Sequence, residues 1–388
     1  MPVTECRYFN GYKPCGRSQS CDQECPSKDI PTTRLLLIHL GALGAVVRST
    51  ALLKPLRRKF PGAHLTWVTD APAHQLLQDH PSIDRVLTTC ESDLLSLSAL
   101  EFDVAFVVDK SLKASGVLGR TKADLILGFQ VDGRTGAILP ATKAAEELWS
   151  LGLDNHKKFF VNKKSEIQLV TEALELGPWQ NDDYHLPLLG QRTKVEERYR
   201  EWSQNGNRWV IGINTGCSDA IPAKKLSVAF QRSLVQRLSQ QSDVQVVLLG
   251  GPEDEIRNQQ IAFGLPVISS PTGSGLRDGY ASVAACDLVV TGDSLGMHLA
   301  IAAQKQVVAW FGPTCAHEIE FFGRGEAILT AAPCAPCWKR VCGEKQMCYD
   351  QVDLEQIMAA VKRGLLACRN NNLNFNLSSR QPSLGTSS

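Results

Sequence analysis

Near its C-terminus the chain reads CAPCWKRVCGEKQMC, which sets Cys334, Cys337, Cys342 and Cys348 within one short stretch. Four thiolates at that spacing satisfy a closed tetrahedral metal site, zinc first and iron second. The competing reading is reduced thiols in a surface loop. Cys6, Cys15, Cys21 and Cys25 form a second candidate group of metal ligands with the looser pattern C-x8-C-x5-C-x3-C. Cys90, Cys217, Cys286, Cys315 and Cys368 read as single thiols. Three loops carry other chemistry. LGALGAV (40–46) brings Gly41, Gly44 and Ala45 to a strand-to-helix turn, where small residues let a substrate approach the backbone and a helix N-terminus offers N–H groups to an anion. A plain tight turn accounts for it equally well. NTGCSDAIPAKKLS (214–227) holds Lys224 and Lys225, suited to a diphosphate or simply solvated, with Thr215 and Ser218 as hydrogen-bond donors. TGDSLGMHLAIAA (291–303) sets Asp293, Ser294, Gly296 and His298 around a helix start. An Asp or Ser there is first an N-cap, worth about 1 kcal/mol without any ligand, and His298 also fits a packed histidine.

These loops need strands to position them. RLLLIHL (34–40) is a continuous apolar run suited to a buried parallel strand, and Val46, Leu52, Leu53 and Leu56 mark one face of the helix after it. HLTWVT (64–69), RVL (85–87) and FDVAFVVD (102–109) continue the alternation, with a helix from Ala73 to about Asp79. The pattern fades over 121–189, where Trp149, Leu151 and Leu153 are expected to cover the sheet edge. It restarts with RWVIGIN (208–214), a helix over 228–238, and the strands VQVVLLG (244–250), LVVT (288–291) and QVVAWF (306–311). Two doubly wound α/β halves follow, joined near 187–204. We therefore expect a Cys-rich extension over 1–33, a first Rossmann-like domain over 34–195, a second over 205–367 containing the cysteine loop 334–348, a final helix at 353–367, and a disordered Asn- and Ser-rich tail over 368–388.

Composition narrows the function. The 388 residues exceed one ordinary core, and 43% hydrophobic with 21% charged residues is a globular balance. A formal net charge of +1 gives no reason to expect nucleic acid. The longest apolar stretch, 35–47, contains His39 and two glycines and is too short to span a bilayer, so a cytosolic protein is expected.

The segments RLLLIHLGALGAVVRSTALLKPLRRKFPGAHLTWVT, VIGINTGCSDAIPAKKLS, VVLLGGPEDE and VVTGDSLGMHLAIAAQKQVVAWFGPT, with the closing cysteines, resemble glycosyltransferase family 9, the ADP-heptose:lipopolysaccharide heptosyltransferases. The resemblance covers roughly 34–366. It implies a GT-B fold, two Rossmann-like domains facing a cleft, with the acceptor chiefly on the first and the nucleotide sugar, ADP-heptose, on the second. Transfer would be inverting and would use no catalytic metal. The family's donor-phosphate lysine matches Lys224, beside Lys225, and its DS-G-x-x-H segment matches Asp293, Ser294 and His298, with Leu295 displacing the glycine to Gly296. Glu253 or Glu255 after LLGGP would approach the nucleoside. Where the family reads G-D-V, its Asp serving as general base, this chain has Gly44-Ala45-Val46. Asp109, ending FDVAFVVD, is the substitute base, and Lys224 and His298 the other catalytic candidates. The expected acceptor is lipopolysaccharide core or another lipid-linked glycan, with peripheral contact at the bacterial inner membrane. A heptosyltransferase acting on a protein of the autotransporter type, and a catalytically silent nucleotide-sugar binder, are the alternatives.

Overall fold

The computed structural model describes residues 3–378, with side chains through 370. The chain divides into two compact units, one made of Met1–Leu189 with His317–Glu320, the other of Gly190–Ala316 with Phe321–Ser388.

The first unit carries β1 (Arg34–Ile38), β2 (His64–Thr69), β3 (Arg85–Thr88), β4 (Glu101–Val107), β5 (Lys122–Val131) and β6 (Ile138–Pro140) in the order β3-β2-β1-β4-β5-β6. All pairings are parallel except β5 with β6. The second unit carries β7 (Trp209–Asn214), β8 (Val244–Leu249), β9 (Ile268–Ser269), β10 (Leu288–Gly292), β11 (Gln306–Phe311) and β12 (Gly325–Leu329), ordered β12-β11-β10-β7-β8-β9 and parallel throughout. Read from β9, that is the same doubly wound order as the first sheet. Each sheet reverses direction beside its first strand, so the loops after β1 and β4, and after β7 and β10, lie at switch points where open α/β sheets receive ligands.

The expected α/β architecture of two parallel-sheet units is found. The strands read from apolar runs are present because parallel strands are covered on both faces: all six residues of β2 and of β8 are buried. Strands β5, β6, β9 and β12 were not expected. β5 places Lys122 and Asp124 in a first half that is largely exposed, β9 has two residues, and β12 buries one of five. Edge strands of this kind carry no clear apolar period. Trp149 does pack at the sheet edge, its Nε1 donating to Ile138 O at 2.8 Å, and Leu151 is buried, but Leu153 is exposed.

The units divide between Leu189 and Gly190, within the expected join at 187–204, and part of that stretch, Arg192–Trp202, is a helix. Its polar sequence gives little sign of burial, yet Lys194 and Arg198 lock onto the buried Asp278 at 2.7 and 2.9 Å. The last helix runs Leu354–Ser378, so the first part of the segment expected to be disordered is helical, while 379–388 lie outside the described residues. Among the described residues the N-terminal extension has no regular element before β1. Arg7 staples it to the first unit, donating to Asp29 and Asp84 at 2.7 Å and to Gly62 O and Ala63 O. Among the described residues no helix is long and apolar enough to cross a membrane.

Candidate functional site

In the second unit, β7 ends in Asn214 and β10 in Gly292, and the loops beyond them are knitted together. Asn214 Nδ2 donates to Gly216 O at 3.0 Å, Thr291 Oγ1 at 3.2 Å and Ser294 Oγ at 2.9 Å. Gly296, in the first turn of the next helix, packs against the same amide: a Cβ there would stand 2.5 Å from Asn214 Cγ. The displaced glycine of the DS segment is thus a close-approach position. Ser294 occupies the N-cap of the helix Leu295–Ala302, but its side chain accepts from no helix amide. The capping explanation of this serine therefore does not hold, and the first turn keeps its N–H groups without a side-chain acceptor from Ser294.

Lys224 closes a short 3-10 turn, Pro222–Lys224, and its Nζ meets Asp293 Oδ2 at 2.8 Å. The two side chains are 18% and 13% exposed, so the pair is mostly withdrawn from water yet reachable. Burial alone would raise the Asp293 pKa. The charges of Lys224 and His298, with the Lys224 hydrogen bond, outweigh it and hold the carboxyl below its ordinary range. His298 is buried on the same helix, 4% exposed. The structure thus brings together Lys224, Asp293, Ser294, Gly296 and His298. Lys225 turns to the exposed Asp219 at 2.9 Å. Thr215 is committed internally, its hydroxyl donating to Leu249 O and Asn258 Oδ1. Glu253 and Glu255 are exposed. The buried acid of that stretch is Asp254, which accepts from Gly251 N at 3.1 Å and whose pKa burial pushes up.

The cysteine segment lies beside this site. Cys348 is buried and its thiol pushed up to about 11, by burial first and then by the charges of Cys337, Cys342 and Cys334. A Cβ on Gly312 would stand 2.8 Å from Cys348 Sγ, so the FGPT loop after β11 packs directly on it. Four thiols suit a structural metal in kind and number. Among the described residues, however, no three or more His, Cys, Asp or Glu side chains stand together in an arrangement that would hold an ion. The cysteines at 6, 15, 21 and 25 are half-buried and unpaired as disulfides.

In the first unit, Asp109 follows β4 and accepts from Leu40 N and from Gly41 N, the latter at 3.3 Å, with His39 Nε2 3.7 Å away. It clamps the turn after β1, and a Cβ on Gly41 would stand 2.9 Å from its Oδ1. Gly44 and Ala45 lie in the helix Leu43–Ser49 and are half-buried.

Behind that turn is a charged cluster that sequence reasoning missed. Arg48 pairs with Glu166 at 2.8 Å, and Lys158 lies 3.4 Å from Glu318. Burial pushes the His39 and Lys110 pKa values down. It would raise Glu166, but Arg48, Lys110 and Lys158 hold that carboxyl low. Glu318, buried and facing the Glu166 charge, is pushed up to about 7. Its members come from four separate stretches, so no local motif announces them. Trp338, beside Cys337, was also missed; the aromatic next to a CxxC was its one visible sign.

Comparison with known proteins bears on the family and the fold. The sequence profile of "Glycosyltransferase family 9 (heptosyltransferase)" matches residues 95–348. Lipopolysaccharide heptosyltransferase 2 of Salmonella typhimurium is 24% identical over 306 residues, 72% of this chain and 83% of its own. The structure of E. coli ADP-heptose LPS heptosyltransferase II superposes with TM-score 0.61 at 18% identity, covering 86% of this chain and 99% of that one. The dodecameric, iron-containing heptosyltransferase TibC of enterotoxigenic E. coli H10407, in complex with ADP-D-β-D-heptose, gives TM-score 0.55 at 10% identity over 87% and 77%. The two structural likenesses speak to the fold; the profile, spanning well over half of the sequence and including β7 to β12, speaks to descent, and by it this chain is a glycosyltransferase enzyme that belongs to glycosyltransferase family 9.

Proposed function

We propose that the protein transfers a heptose from ADP-heptose to the core of lipopolysaccharide, with inversion and without a catalytic metal. The observation that carries this is the Lys224–Asp293 pair at the switch point of the second sheet, beside the start of the helix Leu295–Ala302. In such a transfer an acceptor oxygen attacks the anomeric carbon, the bond from that carbon to the diphosphate breaks, and ADP leaves with the electron pair. Negative charge grows on the diphosphate. Lys224 and the amides after Ser294 are the fixed donors to meet it, each worth about 3 kcal/mol in the transition state. The acceptor's proton needs a base that Ala45 cannot supply. Asp109, held by two backbone amides, takes that role in the first unit, which we assign to the acceptor, the second unit taking the donor.

The named relatives support the substrate: the Salmonella protein carries lipopolysaccharide in its name, and the two structures carry ADP-heptose in theirs. We assign the protein to the cytosol, with peripheral contact at the inner membrane where a lipid-linked acceptor resides. The iron-containing neighbour supports a structural ion, iron or zinc, at Cys334, Cys337, Cys342 and Cys348, which requires the 334–348 segment to draw its thiols together. Titration calorimetry with ADP-heptose tests the donor site. Lys224→Ala should weaken binding at least tenfold, about 1.4 kcal/mol, with the melting temperature near wild type. Unchanged affinity would remove the proposed site. Intact-mass analysis of coexpressed candidate acceptors separates a glycan from a protein target.

A further inference from the structure

The cysteine segment is tied to the loop after β11 and touches the turn that carries Lys224 at Ala223, and its aromatic residue lies beside the ammonium. Cys337 and Trp338 donate their backbone N–H groups to Pro313 O at 3.1 and 2.8 Å. Cys348 Sγ donates weakly to Ala223 O at 3.9 Å. Lys224 Nζ lies 5.7 Å from the centroid of the Trp338 ring, within the range of a cation–π contact. Trp338 takes φ 54°, the left-handed region that a bulky side chain avoids. Such a conformation persists only where its surroundings dictate it, and here the paired hydrogen bonds to Pro313 do so. Trp338 is 37% exposed, so it forms part of the surface beside Lys224 and is no core residue.

The other partner of Lys224 is Asp293. A carboxylate holds the ammonium but repels an incoming diphosphate. The face of an indole attracts the same cation and carries no formal charge to oppose the ligand. We propose that Trp338 is a positioning residue for Lys224, its ring holding the ammonium where a nucleotide diphosphate is received, so that the cysteine-bearing segment sets donor affinity through Lys224. This rests on the donor site assigned above. A cation–π contact at a partly exposed position corresponds to about a two- to fivefold change in affinity.

The test is a calorimetric ADP titration of the full chain as wild type, Trp338→Phe, Trp338→Leu, Lys224→Ala and the Trp338→Leu/Lys224→Ala double variant, each checked for its melting temperature. Leucine keeps an apolar side chain without a π face, and phenylalanine keeps the face. Trp338→Leu should weaken ADP binding about threefold, Trp338→Phe should restore it, and Trp338→Leu should add nothing in the Lys224→Ala background. If Trp338→Leu has no effect while Lys224→Ala weakens ADP, the proposal fails and the donor site stands. An equal loss from Trp338→Leu with or without Lys224, or a Phe variant as weak as Leu, also overturns it, because the ring then acts otherwise than through the ammonium. If Lys224→Ala leaves ADP affinity unchanged, the donor-site reading itself fails. Should Trp338→Leu not fold, Trp338→Met takes its place in the same cycle.

Discussion

Glu318 gives the structure a measurable pH signature. It belongs to the short stretch His317–Glu320 that packs within the first unit, and its side chain is 10% exposed. Burial is the largest influence on it, the Glu166 charge the next, and Lys158 and Arg48 oppose both; the carboxyl moves from 4.5 to about 7. An acid that binds its proton more tightly folded than unfolded stabilises the fold fully below the unfolded value. That contribution is lost as pH rises through the folded value, and the loss levels off above it. A tenfold change in proton affinity is about 1.4 kcal/mol, so the rise from 4.5 to about 7 corresponds to about 3 kcal/mol. Glu318→Gln is isosteric, never ionises, and keeps an oxygen for Lys158. We predict that the variant gains on wild type by about 3 kcal/mol in unfolding free energy between about pH 4.5 and about pH 8. Urea unfolding at constant ionic strength, read by intrinsic fluorescence at four pH values across that window, measures the gap. A gap constant to within about 0.5 kcal/mol, or one that widens toward acid, would refute the reasoning.

Three further outcomes follow from the geometry. Asp109→Asn should cut turnover by a factor of about 10² to 10⁴ while leaving ADP affinity unchanged; full turnover would place the base elsewhere. Asp278 is held low because the Lys194 and Arg198 hydrogen bonds and charges override its burial, so its contribution exists above the unfolded carboxylate range and is lost as pH falls through the folded value. Asp278→Asn should cost about 3 kcal/mol near neutral pH and much less in acid, by urea unfolding; a loss independent of pH would contradict the ion-pair account. Elemental analysis should find one iron or zinc per chain in wild type and none in Cys334→Ser/Cys337→Ser, and a fully folded metal-free wild type would end that proposal.

Much was legible in the residues alone. Runs such as RLLLI, HLTWVT and VQVVLL announce buried parallel strands, because a strand covered on both faces must be apolar at every position. Their alternation with amphipathic helices determines two doubly wound sheets, and that topology places Gly41, Lys224 and Asp293 beyond strand ends. Ser294 reads as a cap by type and position, and it stands at the N-cap; only the coordinates show its hydroxyl accepting from Asn214 instead of a helix amide. Gly296 likewise looks like a register slip until Asn214 is seen filling the space a side chain would need.

What the sequence determined is therefore periodic or local: strand runs, helix faces, loop positions and cysteine spacing. What tertiary structure alone decided is which distant groups meet. Arg48, Lys158, Glu166 and Glu318 are separated by many residues and carry no shared pattern. Their proton affinities exist only once folding removes water and sets like and unlike charges a few ångströms apart. The same holds for Trp338 beside Lys224 and for Asp278 against Lys194 and Arg198 of the polar helix Arg192–Trp202, since charge and quadrupole interactions depend on distance through space and local dielectric, quantities that chain order does not specify.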